Sequence, residues 1–376
     1  MTRVANIVFN PFVNDSRVLK ESISLSKAGY EIEVIGHLDN GLPKQEEHDG
    51  FIIKRFTYLD RTVTKSKFSK LIVYLKYLKE CISYCKDFDI LHCNDLNTLP
   101  IGYIVKRFFN KKIKIVYDAH EYETEINGLT GIKRSITKYL ERTLIKSVDK
   151  VITVSNAIAE EYIKLYDIEK PSLVLNTPPY QVINKKNIFR EELDIDKEKT
   201  IFLYQGGFSK NRGIEILLDT FKEIEDENSV IVFMGYGELE EEIKYNTDKY
   251  NNIYFYPAVS PNVLLDYTSS ADFGILFYEN TCLNHYYCSP NKMFEYLMAE
   301  IPVIASNLFE MKRLVESNEI GIVAKDNTKE GLDKAIKDAI ILEKSTLKHN
   351  IQKIKKVYNW EEQEKTLLNT YKDLTR

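Results

Sequence analysis

The sequence predicts an α/β fold of two doubly wound, Rossmann-like domains facing across a cleft, on three observations. Apolar runs of strand length alternate with helical patterns from end to end. Many of those runs close on polar residues just before a helix, as the ligand-binding edge of an open parallel sheet does. The alternation halts once, at PSLVLNTPPY, where Pro178 and Pro179 forbid regular structure, and then restarts.

The elements follow in order. VANIVFN, SRVLKESISLSKAG and YEIEVIG read as strand, helix with a Gly stop, and strand. FDILHCND, IKIVYDAHE and KVITVS are further strands, with helices such as KFSKLIVYLKYLKECISYC and KRSITKYLERTLIKSV between them. After the prolines come strand TIFLYQGG, helix GIEILLDTFKEI, strand VIVFMGYG, helix ELEEEIKYN and strands NIYFYPA and ADFGILFY. A helix in CSPNKMFEYLMAE, strands IPVIAS and GIVA, and two more helices complete the second unit.

Length and composition agree with this. At 376 residues the chain holds two domains of about 150 each. An apolar content of 44% with 29% charged residues is that of a soluble globular protein. Nothing approaches a membrane-spanning apolar run, and MTRVANIVFN reads as a core strand rather than a signal peptide. The five cysteines, Cys81, Cys85, Cys93, Cys282 and Cys288, show no metal-finger spacing, so a reduced, cytoplasmic setting is expected. Cys81 and Cys85 read as small buried apolar residues.

Net charge is −4 but uneven: residues 1–185 carry +5 and the remainder −9, and residues 50–115 hold 14 basic against 5 acidic side chains. Within that stretch Phe68, Leu71, Ile72, Leu75, Leu78 and Ile82 recur at helical spacing, with Lys67, Lys70, Lys76 and Lys79 around them. Two readings stand. One is a core-facing helix with a basic outer face. The other is peripheral contact of the basic 61–114 region, KRFFNKKIK included, with an anionic membrane, which would put the protein at the inner face of the cytoplasmic membrane. No nucleic-acid-binding module surrounds these residues, and nucleic acid is not expected as a partner.

The chemistry concentrates in CSPNKMFEYLMAE. Ser289 suits a helix N-cap and Pro290 the first helical position. Asn291 and Lys292 follow, and a lysine in the first turn opposes the helix dipole unless an anion is bound there. Glu295 stands alone in an otherwise apolar turn. Arg212, in SKNRG, has the rigid fork that suits phosphate, or else is a solvated loop charge. Gly206, Gly207, Gly235 and Gly237 would let backbone approach a ligand, or merely close strands. His120 closes a strand and is followed by Glu121, so it reads as a polar reader of a ligand hydroxyl or as a core histidine. Asp95 and Asp118 are strand-end carboxylates, Asp95 the better candidate for orienting an acceptor; His92 reads as structural. Asn14, Asp15, Ser16 and Arg17 read first as a helix N-cap, with acceptor contact as the alternative.

Taken in order, NPFVNDSRVLKESISLSKAGYEIEVI, YDAHEYE, VITVSNAIAEEY, NTPP, YQGGFSKNRGIEIL, MGYGEL and SPNKMFEYLMAEIPVIAS resemble the group 1 (family 4) retaining glycosyltransferases of the GT-B fold, along nearly the whole chain. The resemblance implies an acceptor-binding domain over 1–175, a nucleotide-sugar-binding domain over 176–358, and a last helix, 359–376, crossing back to the first. It implies a nucleotide-diphosphate sugar, a UDP-sugar foremost, with its diphosphate at the Ser289–Pro290–Asn291 helix start, contacted by Arg212 and Lys292. It implies Glu295 on the ribose hydroxyls and His120 facing the donor sugar.

The sequence departs from the pattern at three places. Tyr287 stands where the family has the first glutamate of its Glu-x7-Glu pair, Glu300 replaces a usual glycine and reads as harmless surface variation, and no glycine-rich loop lies at 14–17. The acceptor would be a glycan or lipid-linked hydroxyl in cell-envelope polysaccharide synthesis, approached by Asn14, Asp15, Arg17, Asp95 and Glu121. With no Asp-x-Asp among these motifs, the implied enzyme needs neither metal nor cofactor. A nucleotide-sugar 2-epimerase and a non-catalytic sugar-binding subunit are the alternatives.

Overall fold

The computed structural model describes residues 1–58 and 67–375, and these form two compact units: Met1–Val174 with Gln363–Arg376, and Leu175–Glu362. In the first unit the strands are β1 (Arg3–Ile7), β2 (Glu31–Leu38), β3 (Gln45–His48), β4 (Phe51–Tyr58), β5 (Ile90–Asn94), β6 (Lys114–Ala119), β7 (Lys150–Thr153) and β8 (Ser172–Leu173). They form one sheet in the order β3-β4-β2-β1-β5-β6-β7-β8, parallel except for the β3–β4 hairpin. That hairpin turns through Asp49 and Gly50, both at positive φ, and is not among the elements the sequence reading found. The Asp-Gly pair is the turn signal that marks it. The helices are α1 (Ser16–Lys27), α2 (Lys67–Cys85), α3 (Asp95–Ile104), α4 (Gly131–Leu144) and α5 (Asn156–Tyr166).

The second unit is a six-stranded parallel sheet, β11-β10-β9-β12-β13-β14. Its strands are β9 (Thr200–Phe208), β10 (Ser229–Gly237), β11 (Ile253–Pro257), β12 (Phe273–Leu276), β13 (Val303–Ala305) and β14 (Gly321–Val323). The helices are α6 (Ile188–Glu192), α7 (Ile214–Glu223), α8 (Glu240–Thr247), α9 (Leu264–Ser269), α10 (Leu283–Tyr287), α11 (Asn291–Met298), α12 (Phe309–Asn318), α13 (Lys329–Ile341) and α14 (Lys344–Ile354). The closing helix α15 (Trp360–Thr375) leaves this unit and ends in the first, where Tyr371 is fully buried. All strand runs read from the sequence are strands here; most are apolar and buried on both faces, while β11 and β14 are largely half-buried.

Buried charge holds the first unit together. Arg17, in the first turn of α1, is 3% exposed. Its Nε and Nη2 donate to both oxygens of Asp118 at 2.9 and 2.8 Å, its Nη1 donates to the Val174 carbonyl at 2.7 Å, and Glu21 Oε1 lies 3.2 Å from Nε. One guanidinium thereby joins α1, the end of β6 and the segment after β8. Acceptor contact by Arg17 is corrected by this: its side chain is shut inside the unit, bonded to Asp118 and the Val174 carbonyl.

In the second unit Gly274 of β12 packs directly against the Tyr296 ring of α11. A Cβ at residue 274 would lie 2.4 Å from that ring. Tyr296 in turn donates from its hydroxyl to the Leu203 carbonyl at 3.0 Å and accepts the Gln205 amide at 3.1 Å, so the ring cannot retreat. Gly274→Ala should therefore cost about 2–3 kcal/mol, read as a lower urea midpoint with an unchanged slope; a midpoint equal to wild type would show that the ring can move aside.

Candidate active site

The second unit gathers its functional groups at the carboxyl ends of β9 and β10 and the start of α11. Helix α11 begins one residue later than the sequence suggests. Pro290 has extended backbone (ψ 140°), Asn291 is the first helical residue, and the Ser289 hydroxyl caps nothing. Instead, Ser289 Oγ and Lys292 Nζ are buried polar atoms without a hydrogen-bond partner. Lys292 Nζ lies 3.7 Å from the centre of the Tyr204 ring and 5.6 Å from that of Tyr278, and the Arg212 guanidinium sits 5.7 Å from the same Tyr278 ring. Two cations thus share one aromatic neighbour. Burial, and then the charge of Arg212, push the Lys292 ammonium down to about 7, with Glu295 opposing. A buried, unpaired ammonium at a helix start is a combination that suits an anion.

Glu295 is held by Gln205, whose Nε2 donates to its Oε2 at 2.5 Å while Thr268 Oγ1 donates to Gln205 Oε1 at 2.8 Å. Sequence reasoning missed Gln205, although it lies in the YQGG motif at the end of β9. Gly206, at φ +112°, lies beside Lys292: a Cβ there would stand 3.8 Å from the ammonium, in ordinary contact. Gly235 and Gly237 are different. A Cβ at 235 would be 1.9 Å from the Gly206 carbonyl and one at 237 would be 2.5 Å from that of Phe208, so both serve the β9–β10 approach. At Gly207 a Cβ would stand 3.9 Å from the Ser209 hydroxyl, in ordinary contact. Tyr287 ends α10 and packs edge-on to Phe309, ring centres 5.7 Å apart.

In the first unit the groups gather at the carboxyl ends of β5 and β6. His120 Nε2 lies 3.0 Å from Asn94 Oδ1 and 3.4 Å from Asp118 Oδ2, and Nδ1 lies 3.6 Å from Asp95 Oδ1. The carboxylates of Asp95 and Asp118 outweigh burial and hold His120 up at about 9, a cation at neutral pH. Asp95 accepts the His120 backbone N–H at 3.2 Å and adopts left-handed backbone, φ +60°, which is uncommon for a non-glycine residue and clusters at functional sites. Glu123, unforeseen in the run EYETE, is hydrogen-bonded to Asp95, and burial with that carboxylate raises its own carboxyl well above the usual range. Asp15 caps α1, accepting the Val18 N–H at 3.2 Å, beside the exposed Asn14; Glu121 is exposed. His92 is fully buried against the Tyr371 hydroxyl at 2.7 Å.

Glu21, His92 and Asp118 converge; Arg17 supplies the counter-charge of Asp118, while burial raises the Glu21 carboxyl to about 8. Two Asp-x-Asp triplets do occur, outside the motifs above. Asp89 accepts the Arg3 N–H at 2.8 Å ahead of β5, and Asp196 accepts the Glu198 N–H at 2.9 Å ahead of β9. Both lie before the strands, away from their carboxyl ends.

Family models match this arrangement in two consecutive blocks: "Glycosyltransferase Family 4" over residues 17–176 and "Glycosyl transferases group 1" over 185–357. The chain is a group 1, family 4 glycosyltransferase. Among curated relatives of this glycosyltransferase, the chitobiosyldiphosphodolichol beta-mannosyltransferase of Kluyveromyces lactis is 22% identical over 90% of this chain and 83% of its own. A 41.2 kDa protein from the cps region of Klebsiella pneumoniae is 24% identical over 69% of each. Of solved structures, sucrose-phosphate synthase from Thermosynechococcus elongatus superposes with a TM-score of 0.81 at 16% identity, covering 100% of this chain and 99% of that one. WaaG, a lipopolysaccharide glycosyltransferase, gives 0.70 at 13% over 97% and 98%, and Anabaena HepE with UDP-glucose gives 0.74 at 14% over 99% and 100%. At these identities the structures speak for the GT-B fold.

Because Lys292 sits near 7 when unliganded, anion binding should draw a proton onto it. Calorimetry of nucleotide-sugar binding in two buffers of different ionisation enthalpy should find an uptake of about half a proton at pH 7 and about 0.9 at pH 8. Affinity should fall up to about tenfold per pH unit above 7. Uptake unchanged in Lys292→Met would assign the proton elsewhere.

Proposed function

We propose that this glycosyltransferase moves a sugar, with retention, from a nucleotide-diphosphate donor, a UDP-sugar foremost, to a hydroxyl of a glycan or lipid-linked acceptor in cell-envelope polysaccharide synthesis. The buried, unpaired Lys292 ammonium beside Ser289 and Arg212 at the start of α11 carries this reading. A diphosphate there would gain two cations and the helix N–H groups. These same groups would stabilise the charge that grows on the leaving phosphate as the glycosidic bond breaks, the largest single contribution such a site offers. Glu295, steadied by Gln205, would accept from ribose hydroxyls, the donor pattern a vicinal diol presents. His120 and Asp95 would bind sugar and acceptor hydroxyls. With protein cations in this role, the reaction should need no divalent metal.

Titration with UDP-, GDP-, ADP-, CMP- and dTDP-sugars in EDTA should find one class bound. Arg212→Ala and Glu295→Ala should each lower kcat/KM on the order of 10²- to 10³-fold. Donor turnover without acceptor would favour the 2-epimerase, and binding without turnover the non-catalytic subunit. Product anomeric configuration, read by NMR, tests retention; the K. lactis relative's beta-mannosyl product makes inversion the alternative.

The expected membrane contact has a surface to match. No helix among the described residues is long and apolar enough to cross a membrane. On α2 the predicted stripe divides: Leu78 is buried with Tyr77, Cys81 and Cys85, while Phe68, Leu71, Ile72 and Leu75 are exposed. Residues 61–66 of the basic region lie outside the described residues. Helices α2, α3 and α4 pack in that order. Phe108 and Phe109 after α3 are exposed, and α4 exposes Ile132 (80%), Ile136 (61%) and Tyr139 (74%) beside Lys133 and Arg142. Apolar side chains ringed by cations fit the interface of an anionic bilayer. The protein should co-float with phosphatidylglycerol vesicles and not with phosphatidylcholine. Replacing Ile132, Ile136 and Tyr139 together by Ser should weaken this about tenfold or more; undiminished flotation would move the contact off α4.

A further inference from the structure

The buried groups behind His120 decide which of its nitrogens carries a proton. Asn94, at the end of β5, is 2% exposed. Its Nδ2 donates to Asn6 Oδ1 at 2.6 Å and to the Ile7 carbonyl at 3.0 Å. A backbone carbonyl cannot exchange roles, so the amide has one workable orientation; reversed, it would set oxygen against oxygen. Asn6 agrees, since its own Nδ2 donates to Ser22 Oγ at 3.1 Å, leaving Oδ1 to accept. The Asn94 oxygen therefore faces His120 Nε2, 3.0 Å away, and an amide oxygen only accepts. The second neighbour of Nε2 is Asp118 Oδ2 at 3.4 Å, on a carboxylate that Arg17 clasps through both oxygens. An unprotonated Nε2 would set three acceptors together in a dry place.

We infer that Asn94 and the Arg17-held Asp118 are positioning residues that keep a proton on Nε2 of His120, so that Nδ1, on the partly exposed side beside Asp95, is the nitrogen that meets substrate. The inference rests on the reading of His120 as a group that contacts donor or acceptor. The charged and titratable groups that face the ring are Arg17 and Glu21 of α1, His92 of β5, Asp95 at the head of α3 and Asp118 of β6. Two of these, Asp118 and Asp95, flank opposite nitrogens and favour a doubly protonated ring. The proton that ring can give up is the one on Nδ1. It would donate from there to a substrate oxygen, and Nε2–H would remain with Asn94. The Ser22–Asn6–Asn94 chain is thus a fixed rail, with its last oxygen dictating the tautomer.

The test uses the free full-length protein labelled with 15N-histidine and long-range 1H–15N correlation from about pH 6 to about pH 10, a range that spans the His120 titration. Six histidines give six ring patterns, and the one lost in His120→Gln is assigned. As the ring deprotonates, the Nδ1 resonance should move to the position of a bare nitrogen while Nε2 keeps its proton. In Asn94→Leu the bias towards Nε2–H should fall about tenfold or more, with the Nδ1–H form appearing. Loss of the proton from Nε2 in the wild type, or an even mixture of the two forms, overturns the assignment, and that result needs no variant to fold. A wild type that shows Nε2–H yet binds no nucleotide-sugar would remove the transferase reading while the tautomer stands. Nucleotide binding with the proton on Nδ1 would do the reverse.

Discussion

Burying a charge is costly unless an opposite charge is buried with it, and the two units meet that condition in opposite ways. In the first, Arg17 is paired: Asp118 accepts from its Nε and Nη2, the Val174 carbonyl accepts from its Nη1, and Glu21 stands beside it. Removing one partner of such a pair strands the other in the dry interior, so the pair fixes α1 against β6 and against the end of β8. In the second, Lys292 is buried with no counter-charge at bonding distance, next to a second cation, Arg212. The first arrangement pairs its cation with a carboxylate inside the unit. The second leaves the buried Lys292 ammonium without a hydrogen-bond partner.

The same contrast explains where rigidity is spent. Around Lys292 the neighbours are aromatic and tied down: Tyr296 is locked by Gly274 and by two backbone partners, and Gln205 is held from both ends of its amide by Thr268 and Glu295. A site that holds an uncompensated cation needs a stiff wall, since a soft one would let the lysine swing to water. Glu300 shows the cost of an exception. It adopts φ +60°, where a glycine is free of strain, and offsets this with a 2.7 Å ion pair to the buried Lys355, which also donates to the Gln181 carbonyl at 2.8 Å. It is a paired, half-buried residue rather than harmless surface variation.

In a parallel sheet the carboxyl ends of the strands converge on one edge, and α-helices begin there. His120, Asp95 and Asn94 lie on such an edge in the first unit, and Gln205, Gly206 and the start of α11 on one in the second. The chemistry at each still has to be argued from its own groups, because a shared fold hosts many reactions. Here those groups are two cations and a carboxylate in one unit, and a protonated imidazole between carboxylates in the other.

Alternation of apolar runs with helical periodicity is a local property, so the sequence by itself determined the α/β class, the order of nearly all the elements and the family. It also drew attention to CSPNKMFEYLMAE, since Ser, Pro and Lys at a helix start conflict with the dipole unless an anion is present. The β3–β4 hairpin was legible too, in its Asp-Gly turn. What it did not carry was partnership across distance. Arg17 reads as part of a helix start or an acceptor contact, and is buried because it pairs with Asp118, 101 residues away. Gln205 looks like part of a strand and positions Glu295, 90 residues on. Asn94 gains its role only where β1, β5 and β6 lie side by side. Whether an apolar stripe is core or surface, as on α2 and α4, was likewise decided by packing. Periodicity reports which residues share a face; only the folded chain says what that face meets.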